Sequence, residues 1–163
     1  MKTLLPLLLM LGLPVAASAQ SLNDFQWKSR LVILFTPDID DPLFQRQRAM
    51  LTQATDELRE RQVEILMVTP GGTHENMSLF LSESSSAYFY DEFSARPDQF
   101  EMALVGLDGD EKYRAKNEVT PVSVLIELID SMPMRRRELK QGYGNESRTT
   151  ERKPRQVRPN GGY

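Results

Sequence analysis

The sequence predicts an α/β domain with a mixed sheet, and three observations carry that prediction. LVILFT (31–36) is a continuous apolar run, as expected of a strand buried on both faces. From Leu43 to Arg61 the pattern turns helical, with Leu43, Phe44, Met50, Leu51, Ala54 and Leu58 on one face, before a second strand-like run, VEILMVT (63–69). FEMALVG (100–106) and EKYRAK (111–116) then flank Leu107-Asp108-Gly109-Asp110, where Asp-Gly marks a hairpin turn.

The elements follow in order. Asp41 stands at the N-cap of the first helix and Pro42 at its first position, a strong start signal. Pro70-Gly71-Gly72 closes the second strand, and a polar loop from Thr73 leads into a helix over Ser84–Phe93. After the hairpin, Thr120 caps and Pro121 opens a last helix, VSVLIELIDS, whose apolar face is Val122, Leu125, Ile126 and Ile129. Pro133 ends it; whether Arg135-Arg136-Arg137 continue it is left open by the pattern. A right-handed crossover makes the first two strands parallel, and the hairpin adds an antiparallel pair. The order β-α-β-α-β-β-α is that of the thioredoxin-like fold.

Three segments are expected. Residues 1–19 read as a signal peptide: Lys2, then LLPLLLMLGLPV, then Ala17-Ser18-Ala19, with cleavage between Ala19 and Gln20. The apolar run is shorter than the about 20 residues of a membrane span, and no later stretch approaches that length. Residues 20–140 form the domain, and 141–163, rich in Gly, Asn, Ser, Thr, Arg, Lys and Pro, read as a disordered tail. The expected location is periplasmic or secreted.

Residue types bound the chemistry. There is no cysteine, which excludes thiol-disulfide exchange and cysteine peroxidase chemistry by this chain. One histidine, His74, excludes multi-histidine metal sites. From Gln20 to Met134 there are 20 acidic and 10 basic residues; from Arg135 to Tyr163 there are 9 basic and 3 acidic. An acidic body of net −10 carries a basic end of net +6, an asymmetry that argues against a nucleic-acid partner for the body and for anionic-surface contact by the tail.

FQWKSRLVILFTP, LRERQVEILMV, FEMALVGLDGDEKYR and ELIDSMPMRRREL together resemble the small exported bacterial proteins of domain-of-unknown-function family 4174, which is similar to modules in animal sushi-repeat-containing proteins. Trp27-Lys28-Ser29-Arg30 and Met132-Pro133-Met134-Arg135 are its most distinctive pieces, and the resemblance spans Asn23 to Leu139. It implies a thioredoxin-like, peroxiredoxin-related fold and no specific activity.

In such a fold FTPDIDDP (35–42) takes the place of the redox-active loop, with aspartates where thiols would stand. One reading is a capped helix start, with Asp38 and Asp40 near the positive end of the helix dipole. Another is weak Ca²⁺ or Mg²⁺ binding by Asp38 and Asp40. A third is a haloacid-dehalogenase-like phosphatase with Asp38 as nucleophile and Asp40 as acid. Against the third, Thr36-Pro37 separates the aspartates from the strand, no later Asp-Asp pair completes a cage, and the chain is short for that fold.

Arg96 is expected beside the end of the first strand, paired with Asp38 or Asp40 as a structural ion pair in preference to a ligand clamp, and counts among the candidate interaction residues. His74 reads as a plain loop residue, Asp108-Gly109-Asp110 as a turn, and Tyr88, Phe89, Tyr90 and Phe93 as helix packing rather than a base-stacking platform. Arg135, Arg136 and Arg137 are candidate contacts for an anionic partner. The sequence thus points to an exported, non-redox binding domain for an envelope or extracellular macromolecule, with a metal-assisted hydrolase on Asp38 and Asp40, or a calcium-binding domain, as the alternative.

Overall fold

The computed structural model describes residues 20–72 and 80–150. The expected signal peptide with Ala19, the expected loop position of His74 and residues 151–163 lie outside them.

Four strands, β1 (Arg30–Phe35), β2 (Val63–Val68), β3 (Glu101–Val105) and β4 (Glu111–Lys116), form one sheet in the order β2-β1-β3-β4. β1 pairs with β2 in parallel and with β3 antiparallel, and β3 and β4 form the expected hairpin. Because β1 is central, all six of its residues are buried. Its pleat sends Val32 and Leu34 to one face and Leu31, Ile33 and Phe35 to the other.

Helices α1 (Pro42–Gln53), α2 (Thr55–Glu60) and α4 (Val122–Ser131) cover the first face through Phe44, Leu51, Leu58, Leu125 and Ile129. Helix α3 (Glu83–Glu92) and the N-terminal segment cover the second through Phe89 and Phe25. Each fully buried Leu or Phe contributes about 1.5–3 kcal/mol of transfer free energy, so this two-sided burial holds the sheet in place. Tyr90 and Phe93 pack on Phe35 at ring-centroid distances of 5.2 and 5.9 Å, as helix-packing aromatics.

The helix expected from Leu43 to Arg61 is two helices broken at Ala54. Thr52 Oγ1 donates to Arg48 O and Thr55 Oγ1 donates to Thr52 O, hydroxyls that compete for helix carbonyls at the break. Thr120 does not cap α4: Pro121 is the N-cap residue, and Thr120 is held by Gln47 instead. Pro133 separates α4 from a fifth helix, α5 (Pro133–Thr150), that the sequence pattern did not place. A proline suits the first position of a helix as well as it stops one. Arg135–Arg137 therefore belong to a separate helix, and α5 runs past the boundary at 140 where composition places the tail.

Gly72 (φ +77) and Gly109 (φ +85) hold the turns after β2 and within the hairpin. A Cβ on Gly72 would stand 2.4 Å from Glu83 N, so α3 starts against bare backbone.

Candidate functional site

At the carboxyl end of β1, Thr36 is buried; its N–H donates to Val68 O at 3.0 Å and its hydroxyl donates to Asp38 O. Asp38 Oδ1 accepts the Asp40 N–H at 3.0 Å, and Asp41 N–H donates to Asp38 O at 3.3 Å. Asp41 Oδ1 accepts the N–H groups of Leu43 and Phe44 at 2.8 and 3.0 Å, so it caps α1 with Pro42 at the first position, as expected. Gln45 Nε2 donates to Ile39 O and locks the loop from the helix side. Asp38 and Asp40 are exposed, and among the described residues no three Asp, Glu or His side chains come together to hold a metal ion.

Behind this loop, on the α3 face, stands Tyr90. Its hydroxyl lies 3.4 Å from both Thr36 O and Val68 O, the carbonyls at the ends of β1 and β2. Burial, and secondarily the Glu101 charge, push the phenol well above its ordinary value, so it remains a neutral donor. Glu101 is fully buried beside Phe35 and accepts from Arg114 Nη1 and Gln99 Nε2, both at 2.8 Å, and from the Arg96 N–H at 3.1 Å. Burial pushes its carboxyl up, but those hydrogen bonds and the Lys116 charge outweigh it and hold the pKa below the ordinary value. Arg114 also lies over the Phe93 ring, 5.7 Å from its centroid. The ion pair joins β3 to β4, and Arg114 Nη2, donating to Phe93 O at 3.1 Å, ties the hairpin to the end of α3.

Arg96 does not pair with Asp38 or Asp40. Its guanidinium makes a two-bond fork with Asp98, at 3.0 and 2.7 Å, on the surface. The two residues are neighbours in one loop, and the short-range partner wins because it costs no further chain ordering.

Arg135 is not a free contact for an anionic partner either. It is 6% exposed and bonds Glu60 at 2.8 Å, Asp130 at 3.3 Å and Glu138 at 3.4 Å. Arg30 bonds Glu138 at 2.8 Å, and Arg61 forks onto Asp130 at 3.0 and 2.8 Å. Three arginines and three acids thus lace β1, α2, α4 and α5 together. Arg136 and Arg137 are exposed and available.

At the opposite end of β1, a cavity of about 330 Å³ opens between the β3–β4 hairpin and the α4–α5 junction. Arg30, Leu107, Lys112, Leu128, Met132 and Met134 are among the residues lining it. No local motif announces it, since three separate chain regions contribute. Beside it Trp27, 63% exposed, adopts a left-handed backbone (φ +64), held by its N–H to Leu107 O at 2.7 Å.

Among solved structures, the chain is similar in fold to the reduced 2-Cys peroxiredoxin of Plasmodium vivax, with a TM-score of 0.54 and 16% identity over 71% of this chain and 83% of that one. It is likewise similar to thioredoxin peroxidase I of Plasmodium yoelii, with a TM-score of 0.51 and 17% identity over 71% and 79% of the two chains. These likenesses establish the thioredoxin-like, peroxiredoxin-related fold and nothing of the chemistry in those names. Among curated proteins, coiled-coil domain-containing protein 80 of Danio rerio is 30% identical over 137 residues, covering 72% of this chain. The match takes in only 15% of that protein's length. The model of the domain of unknown function DUF4174 matches residues 21–138, nearly all of the folded domain, and the chain therefore belongs to the DUF4174 family.

Proposed function

We propose that this protein is an exported, non-redox binding domain whose partner is another macromolecule of the cell envelope or the extracellular space. The observation that carries this reading is the state of the segment leaving β1. Where the thioredoxin fold places its chemistry, this chain has carboxylates, and those of Asp38 and Asp41 are taken up by backbone N–H groups. Export is supported by the N-terminal Lys2, its apolar run and Ala17-Ser18-Ala19. No helix among the described residues is long and apolar enough to cross a membrane.

Arg136, Arg137 and the basic residues beyond them add an electrostatic contact with anionic surfaces, at about 1 kcal/mol per basic residue near an anionic membrane. Cross-linking in the protein's own compartment is the test of the main reading. A recurrent macromolecular partner, retained when Asp38 and Asp40 are changed to Asn, is expected; an absence of cross-linked partners contradicts it. For the tail, truncation after Leu139, which keeps Arg136 and Arg137 but removes the basic residues beyond them, is expected to leave the melting temperature nearly unchanged and to weaken low-salt binding to anionic liposomes strongly. Equal binding by both lengths contradicts the tail contact.

A further inference from the structure

We propose that the cavity between the β3–β4 hairpin and the α4–α5 junction docks an extended acidic segment of a partner protein, which inserts one large apolar side chain there. The proposal rests on the macromolecular-binding reading above and gives that partner a surface and a chemistry.

Three observations converge at this end of β1. The first is the cavity itself, about 330 Å³, half of whose lining is Leu107, Leu128, Met132, Pro133 and Met134. Ser131 and Pro133, both exposed, mark its opening to solvent. That volume is at the lower end of the range of small-molecule sites and suits one anchoring side chain of a larger body. The half-buried, unbranched methionines let the wall adapt to that side chain.

Trp27 is the second. It is 63% exposed, while the other exposed large apolar residues, Val124 and Leu139, reach only 36% and 38%. Its backbone is left-handed (φ +64), and its N–H is pinned at 2.7 Å to the carbonyl of Leu107, which lines the cavity. Holding a large residue in that conformation costs free energy, and an indole left in water beside an apolar recess is a typical interface anchor.

Charge is the third, and it selects the partner. Lys28, Arg136 and Arg137 are exposed, and among the described residues none of them has an acidic partner. Lys28 follows Trp27 directly. Arg137 stands three and four residues after the lining Met134 and Pro133, the spacing that puts helix side chains on one face. Within the lining, by contrast, Lys112 is neutralised by Asp108 and Asp110, and Arg30 by Glu138. Unpaired positive charge therefore flanks the cavity and does not fill it. That arrangement takes an apolar side chain inside and carboxylates outside. A bilayer is met by protruding apolar side chains, whereas a recess receives one.

Trp27 is the only tryptophan of the chain, so its emission reports from the surface itself. The labelled methyl signals of Met132 and Met134 give a second readout, and neither follows the basic tail. The full chain is titrated with three capped pentapeptides: four glutamates around a central leucine, the same with a central alanine, and a central leucine among four glutamines. The leucine–glutamate peptide is expected to shift both readouts. Replacing its leucine by alanine, or its glutamates by glutamines, is expected to weaken binding about tenfold at low salt. The advantage of the glutamates is expected to fade at about 1 M salt. Arg136→Gln/Arg137→Gln is expected to bind the leucine–glutamate peptide about tenfold more weakly and the glutamine peptide as the parent does. Ser131→Phe, which narrows the opening, is expected to weaken both leucine peptides; should it melt far below the parent, Met134→Phe takes its place. No response at millimolar peptide, equal affinity for the alanine peptide, or unchanged affinity in the arginine variant would overturn the proposal. So would a Trp27 response to anionic vesicles and to no peptide, which assigns the surface to lipid, or a shift on dilution alone, which assigns it to a second copy. A recurrent cross-linked partner beside any of these failures leaves the binding reading standing and removes this surface alone.

Discussion

Gln47, in the middle of α1, exchanges two hydrogen bonds with the backbone of Thr120, just before α4. Its Nε2 donates to Thr120 O at 3.1 Å, and the Thr120 N–H donates to its Oε1 at 2.7 Å. Both residues are buried, so an amide side chain does here what a strand neighbour would do. Gln47→Ala is expected to leave both backbone groups unpaired and cost about 2 kcal/mol in urea melts. Gln47→Glu offers an acceptor and no donor, and should recover only part of that loss. A fully stable Gln47→Ala would show that water replaces the clasp.

Asp41 is expected to behave as a cap and nothing more. Asp41→Ala should cost about 1 kcal/mol, and Asp41→Ser or Asp41→Asn should restore most of it, because those side chains also accept the Leu43 and Phe44 N–H groups. Denaturant melts of the three variants check this. If Asn is as harmful as Ala, the carboxylate has a further task.

The Glu101–Arg114 pair gives the fold an acid sensitivity whose sign is fixed. The folded-state pKa of Glu101 lies below its ordinary value of 4.5, so its contribution is complete above that pH and is lost as pH falls through the lowered folded value. Glu101→Gln leaves Arg114 short of its buried partner and should cost about 3 kcal/mol at pH 7. The gap between variant and parent should narrow steadily as the pH drops below 4.5. Urea melts across that range provide the measurement, and a gap independent of pH would assign the loss to packing alone.

Arg135 and its two neighbours are expected to separate cleanly. Arg135→Ala removes the guanidinium shared by Glu60, Asp130 and Glu138, and should destabilise by about 2 kcal/mol, discounted because Glu60 stays well hydrated. Arg136→Ala and Arg137→Ala should stay within about 0.5 kcal/mol of the parent. Thermal melts that rank the three alike would contradict the clamp.

What the sequence made legible was local. The apolar run of β1, the Asp41-Pro42 helix start, the Asp108-Gly109 turn and the 3.6-residue spacing of α4 each lie within one element, and each stands where expected. What it hid was non-local. Thr120 looks like a cap because its partner Gln47 is 73 residues away, and Arg135 looks free because Glu60 is 75 residues away. Arg96 departs in the other direction, since its partner lies two residues on and not at the distant strand end. The break at Ala54 turns on two threonine hydroxyls that hydrophobic spacing does not weigh. The cavity draws on Arg30, the hairpin and the α4–α5 junction, which no single window of sequence contains.

The central claim is that the segment leaving β1 is a helix start and not a reaction centre. Its most direct test is a paired measurement on the parent and the Asp38→Asn/Asp40→Asn variant, in which the new side-chain amide oxygen at position 38 can still accept the N–H of position 40. Melting temperature is recorded with and without millimolar Ca²⁺ or Mg²⁺, and phosphomonoester hydrolysis is assayed under the same conditions. The account predicts no metal-dependent rise in melting temperature, no turnover, and near-identical behaviour of the two proteins. A metal-dependent rise or hydrolysis in the parent that the variant lacks would contradict it.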